Sequence, residues 1–279
     1  GHEELHPGQI PERFNPVASY VRYFHVPESM KGKRVFVSFQ GAESGLALWL
    51  NGKFVGYSED SFTPSEFELT EYLKDGENKL AAQVFKWTAS SWCEDQDFYR
   101  FSGIYRDVYL FTVPDVHVYD LRIRAIPDET LKKAELEIVT STWGKGKMKL
   151  TLSGKGEILL QEERSLNGED TCTWEIQDPL LWSAEEPNLY DLELSDESGK
   201  LQEIIPEKVG FRRFEMKDGI MTLNGKRIVF KGVNRHEFSS VTGRHVSREE
   251  LLKDIVTMKQ NNINAIRTCH YPDASPIYR

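Results

Sequence analysis

Gly232-Val233-Asn234-Arg235-His236-Glu237 and Asn264-Ala265-Ile266-Arg267-Thr268-Cys269-His270-Tyr271-Pro272 decide the architecture of the C-terminal part of this chain. Each closes a strand-like run, Arg227 to Val233 and Ile263 to Cys269. Between them, Ser247 and Glu250 stand in capping-box spacing, which opens a helix. Leu251, Leu252, Ile255, Val256 and Met258 form an apolar stripe at helical spacing, and Asn261-Asn262 close it. Strand, helix and strand predict a parallel βαβ unit. In parallel α/β folds the carboxyl ends of strands face the ligand, so two polar clusters at two such ends point to one mouth.

Upstream the character is different. Up to about Pro114 the chain alternates as half-buried antiparallel strands do: Tyr20, Arg22 and Phe24 against Val21, Tyr23 and His25, then Val35, Val37 and Phe39, then Leu46, Leu48 and Leu50. Asn51-Gly52 is a strong two-residue hairpin signal, and Asp75-Gly76 is read as another. From about Asp115 to Phe214 short alternating strands recur, including Leu121 to Ala125, Ala134 to Thr140 and Met148 to Leu152, a length and pattern that suit an immunoglobulin-like sandwich. Trp182 and Tyr190 are read as packing its core. The expected domains are therefore 1–114, 115–217 and 218–279. Alternation alone does not choose among sandwich topologies.

Composition sets wider bounds. The 279 residues, 39% hydrophobic and 28% charged, suffice for two or more cores. With 35 Lys and Arg against 44 Asp and Glu, the net charge of −9 argues against nucleic acid as a partner and favours a neutral substrate. Cys93, Cys172 and Cys269 stand at unrelated spacings, which predicts no disulfide framework and a reducing, cytoplasmic compartment. The longest apolar stretches are strand-sized, so no transmembrane helix is expected. The chain opens at Gly1-His2-Glu3 without Met, and this start carries little weight for targeting.

The two polar runs and their spacing resemble the opening of the catalytic barrel in glycoside hydrolase family 2, in its large β-galactosidase branch. Asp95-Gln96-Asp97-Phe98-Tyr99-Arg100-Phe101-Ser102-Gly103-Ile104-Tyr105-Arg106-Asp107-Val108 is similar to the segment by which the family's first domain reaches the active site. Trp49-Leu50-Asn51-Gly52, Pro64-Ser65-Glu66-Phe67 and Leu181-Trp182-Ser183-Ala184-Glu185 agree with it. The resemblance implies a multidomain, mainly β chain: a jelly-roll β-sandwich, then an immunoglobulin-like β-sandwich, then the first βαβ unit of a (β/α)8 barrel that is incomplete here.

It also implies a retaining hydrolase of terminal β-D-galactosides such as lactose. That chemistry needs a nucleophile and an acid/base carboxylate about 5 to 5.5 Å apart. Neither family motif matches a position in this sequence, so the chain alone is expected to be inactive. By resemblance, His236 and His270 hydrogen-bond the galactosyl hydroxyls more tightly as the oxocarbenium-like transition state forms, Arg267 orients the missing nucleophile, and Asp97 contacts the sugar and a sodium ion. Asp95 is the less favoured carboxylate. Asn234 and Arg235 are secondary candidates, with strand-end capping and pairing of Arg235 with Glu237 as their structural alternatives. Magnesium and sodium belong to the implied parent, whose magnesium motif is not found here. The implied partners are the β-galactoside, the remainder of the barrel, C-terminal domains and further copies of the parent. The alternatives are a β-glucuronidase or β-mannosidase of the same family, or a non-catalytic carbohydrate-binding or scaffold fragment. Asn-Arg-His-Glu favours the galactosidase, because β-glucuronidases usually place Lys where Arg235 stands.

Overall fold

A computed structural model describes residues 4–94, 96–196 and 203–278. The chain divides into two compact units, Gly1–Thr112 with Lys231–Arg279, and Val113–Phe230.

The first unit begins with a two-sheet sandwich. Its strands are β1 Val17–His25, β2 Arg34–Phe39, β3 Ala42–Glu43, β4 Gly45–Leu50, β5 Lys53–Ser58, β6 Ser65–Glu68, β7 Glu77–Phe85, β8 Gly103–Ile104 and β9 Val108–Val113. One sheet has the order β1-β7-β4-β5, a second β6-β2-β9, and β3 pairs with β8. Val37 and Phe39 from one sheet meet Leu46, Leu48, Leu50, Ala82 and Val84 from the other, so period-two alternation puts every second side chain into a shared core. Asn51 and Gly52 have φ of +53° and +83°, the mirror-image turn that matches strand twist, and Leu50 pairs with Lys53 across it. Two expectations fail here. Asp75-Gly76 is a turn leading into β7, whose partners are β1 and β4, and not a hairpin. Nor is β1 half-buried: it is the outermost of four strands packed on a three-stranded sheet, and Tyr20, Val21 and Tyr23 stay exposed.

The second unit is dominated by two long strands. β10 His117–Pro127, β11 Lys133–Gly154, β12 Glu157–Gln177, β13 Tyr190–Asp196 and β14 Ile204–Val209 form one hydrogen-bonded system, in which the first half of β11 pairs with β10, the second half with β13, and both with β12. The change of partner falls at a register shift between Ser141 and Lys145. There Gly144 has φ +75°, and a Cβ on it would lie 2.2 Å from the Asp115 carbonyl oxygen, so only glycine lets the strand turn at this point. Leu136, Ile138, Met148, Leu150, Leu152, Leu192 and Leu194 fill the core. Tyr190 is buried among them, its Oη accepting from the Leu180 N–H at 2.8 Å, and Trp182 packs under the Arg212 guanidinium at 4.7 Å. A small sheet of β15 Phe214–Lys217, β16 Ile220–Leu223 and β17 Lys226–Arg227 completes this unit.

The first unit ends in the βαβ element. β18 Gly232–Arg235 and β19 Ala265–Thr268 pair in parallel and flank α1 Arg248–Gln260. The run expected from Arg227 to Val233 is shorter: Arg227 belongs to β17, and the β18 ladder starts only at Gly232. Ser247 accepts from the Glu250 N–H at 3.2 Å while Glu250 accepts from the Ser247 N–H at 2.9 Å, so the capping box is formed. Leu251 is buried, whereas Leu252 and Val256 are exposed, so the apolar stripe is only partly covered. Among the described residues no helix is long and apolar enough to cross a membrane.

Candidate active site

The parallel register sets Asn234 beside Arg267 and Arg235 beside Thr268. Along β18 and just past it, Asn234, His236 and Phe238 are exposed while Arg235, Glu237 and Ser239 are buried, the alternation of one extended strand. His236 follows β18 and His270 follows β19, so the two strand ends carry one imidazole each. Their ring centroids lie 6.0 Å apart at 90°, and His236 also lies 6.1 Å from the Tyr271 ring. His270 is half-buried and His236 exposed. Two imidazoles in this arrangement offer separate donor and acceptor nitrogens to neighbouring hydroxyls of one small polar ligand. Arg267 is exposed, with its Nη1 4.0 Å from the Cys269 sulfur, and no described carboxylate pairs with it. Asn234 is exposed at the strand end.

Beneath these side chains is a buried ionic floor that the motifs did not reveal. Arg235 donates through Nη1 to Asp273 at 2.9 Å and through Nε and Nη2 to Asp254 at 3.0 and 2.9 Å. It is 6% exposed, so it holds β18 to α1 and to the segment after β19. The alternative pairing of Arg235 with Glu237 is not formed. Glu237 instead pairs with Arg106 and accepts from the Ala274 N–H at 3.1 Å. Arg106 also donates to the carbonyls of Phe62 at 2.6 Å and Pro272 at 3.1 Å, which ties the first sandwich to the His270 segment. Burial pushes the Asp273 carboxyl above its ordinary range while Arg235 pulls it back. The signal that could have found this floor is period two itself. It puts Arg235 and Glu237 on the inner face of β18, where each needs a partner.

Asp97 is exposed on the loop before β8, and Asp95 lies outside the described residues. Its neighbour Phe98 meets Tyr271 edge-on at 5.2 Å and Phe62 at 5.5 Å, and Phe62 stacks on Tyr271 at 4.5 Å. The Asp97 loop therefore touches the residue that follows His270. Glu94, on the same loop, accepts from the Ser61 N–H at 3.1 Å and the Ser61 hydroxyl at 2.8 Å.

Among the described residues no three His, Cys, Asp or Glu side chains converge as metal ligands. Asp97 alone supplies far fewer oxygens than the roughly six to eight a hard cation such as calcium collects.

The family model for the sugar binding domain of glycosyl hydrolases family 2 matches residues 5–114, that for glycosyl hydrolases family 2 matches 116–212, and that for the family's TIM barrel domain matches 214–279. A beta-galactosidase of Halalkalibacterium halodurans is 51% identical over 100% of this chain and 28% of its own length. One of Clostridium acetobutylicum is 50% identical over 100% of this chain and 32% of its own length. The chain thus spans about a third or less of these curated relatives. The crystal structure of Parabacteroides merdae beta-glucuronidase superposes with a TM-score of 0.85 over 95% of this chain and 36% of that chain, at 21% identity, a likeness of fold. With the strand orders above, the fold class is a jelly-roll sandwich, an immunoglobulin-like sandwich and the start of a (β/α)8 barrel.

Proposed function

Because the chain belongs to glycosyl hydrolases family 2, we propose that it forms the N-terminal part of a retaining β-galactosidase acting on terminal β-D-galactosides such as lactose. The observation that carries this reading is the pair of imidazoles 6.0 Å apart at adjacent parallel strand ends. Beta-galactosidases at 50% and 51% identity support the choice of sugar.

In this reading His236 and His270 hydrogen-bond galactosyl hydroxyls, and the contacts tighten as charge develops on the ring in the transition state. Arg267, exposed and without a carboxylate partner among the described residues, receives the nucleophile carboxylate from outside this chain. A guanidinium fork holds such a group in one plane and keeps it ionised. Asp97 reaches the sugar from the first sandwich. The carboxylate pair comes from the remainder of the barrel, so the 279 residues alone turn over no substrate. Magnesium, sodium, a cytoplasmic location and assembly with further copies belong to the proposal for the parent polypeptide only.

The test uses the parent polypeptide with aryl β-galactoside, β-glucuronide and β-mannoside. Preference for the galactoside is expected, with His270→Ala lowering kcat by about ten- to a hundredfold and raising KM less, as for a hydrogen bond made in the transition state. Asp97→Ala is expected to act mainly on KM. A preference for the glucuronide transfers the reading to that sister activity, and unchanged kinetics in both variants would leave these residues structural.

A further inference from the structure

Arg244 has no role in the reading above, yet it is a charged side chain buried beside the site. It lies between β18 and α1 and is 5% exposed. Five aromatic rings surround its guanidinium carbon: Tyr271 at 4.9 Å, Phe98 at 5.1 Å, Phe62 at 5.5 Å, and Phe101 and Tyr105 at 5.8 Å. Its Nη2 donates to the Tyr99 carbonyl at 2.6 Å, and Glu43 stands 3.6 Å away. Glu43 is also buried, beside the Phe101 backbone. Burying a guanidinium is costly unless its surroundings replace water, and here the ring faces and one carboxylate do so.

These contacts divide into two sets. Phe98, Tyr99 and Phe101 belong to the loop that carries Asp97, whereas Tyr271 follows His270 directly, and the Tyr271 hydroxyl accepts from the Glu237 N–H at 3.1 Å, next to His236. A planar cation with two faces and an edge donor can grip both sets at once, which the compact ammonium of a lysine cannot.

We propose that Arg244 is a positioning residue that pins the Asp97 loop to the His270 segment and so fixes the spacing of carboxylate and imidazole across the sugar. What those two residues bind rests on the functional reading above. The pinning itself does not.

Two measurements test it. In the 279-residue chain, Arg244→Met is expected to speed amide exchange at Phe101, Glu237 and Ala274 by about tenfold or more while Leu46–Leu50 in β4 keeps its rates. Glu43→Gln with Arg244→Met removes both charges and serves where the single variant fails to fold. In the parent, the fold-loss on His270→Ala is expected to shrink by about threefold or more in the Arg244→Met background, because a histidine already misplaced has less to lose. Unchanged exchange in either segment overturns the proposal, as does a rise that includes β4, or strictly multiplicative kinetic losses. Coupled exchange in a parent that cleaves no galactoside supports the pinning and refutes the functional reading instead.

Discussion

The two compact units differ in where their strongest ion pairs lie. In the second, several ion pairs sit on the outer faces of strands, with both side chains more than half exposed in Lys147–Glu163, Lys133–Glu175 and Lys208–Asp191, over a mostly aliphatic core. In the first, Arg235–Asp273, Arg106–Glu237 and Arg244–Glu43 are all buried, with Arg235 and Asp273 side chains 5% and 0% exposed. Exposed pairs contribute little to stability, and buried pairs are often no better than the leucines that could replace them. A fold selected only to hold together would resemble the second unit throughout. Buried pairs do fix direction and distance, and here they cluster beneath His236 and His270.

The largest expected effect that tests this contrast is Arg235→Met. It strands Asp273 without its donor, and a loss of about 3 to 5 kcal/mol in urea denaturation is expected, because one partner of a buried pair is left uncompensated. Adding Asp273→Leu should recover most of that loss. If the single substitution costs less than about 1 kcal/mol, the floor is not desolvated in solution and the comparison breaks.

A smaller effect is the pH dependence, which should carry opposite signs at one carboxylate from each unit. Burial raises the Glu43 carboxyl above its ordinary range, so the folded state holds this proton longer than the unfolded chain. Stability from this group therefore falls as pH rises through that window, and Glu43→Gln should gain on the wild type from about pH 4 toward 7. Glu162 is lowered by the Trp174 indole N–H and by Arg164. Its contribution is present above the ordinary glutamate range and lost as pH falls, so the cost of Glu162→Gln should shrink on acidification. Denaturation curves of the two variants across this range check the signs. Two slopes of the same sign would remove the distinction. The smallest expected effect is Lys208→Ala, below about 1 kcal/mol and weaker still in high salt.

Much of the fold was legible because its signals are local. The Asn51-Gly52 turn, the Ser247 and Glu250 capping box, the stop at Asn261 and the alternation that opens β11 each depend on residues within a few positions of one another. The two histidines were legible for the same reason, since each marks a strand end. The Arg244 cage was not, because its bond to the Tyr99 carbonyl spans 145 residues and exists only once a loop of the sandwich has folded onto the barrel strands. Arg235 shows the limit most clearly. Period two puts it on the same face as Glu237, which made that pair reasonable, but long-range packing gave Asp254 and Asp273 to Arg235 and Arg106 to Glu237. Burial of β1 was misread because alternation does not reveal whether a strand lies at the centre or the margin of its sheet.

The alternation from Asn234 to Ser239 makes this stretch intolerant of changes in length. Inserting or deleting a single residue there would exchange the two faces of everything beyond it, turning His236 inward and a buried charge outward. Point substitutions at Asn234 or Phe238 leave that parity untouched. Variation in this stretch should therefore arise by replacement, with length changes confined to the turn around Val241 and Gly243 before the helix begins.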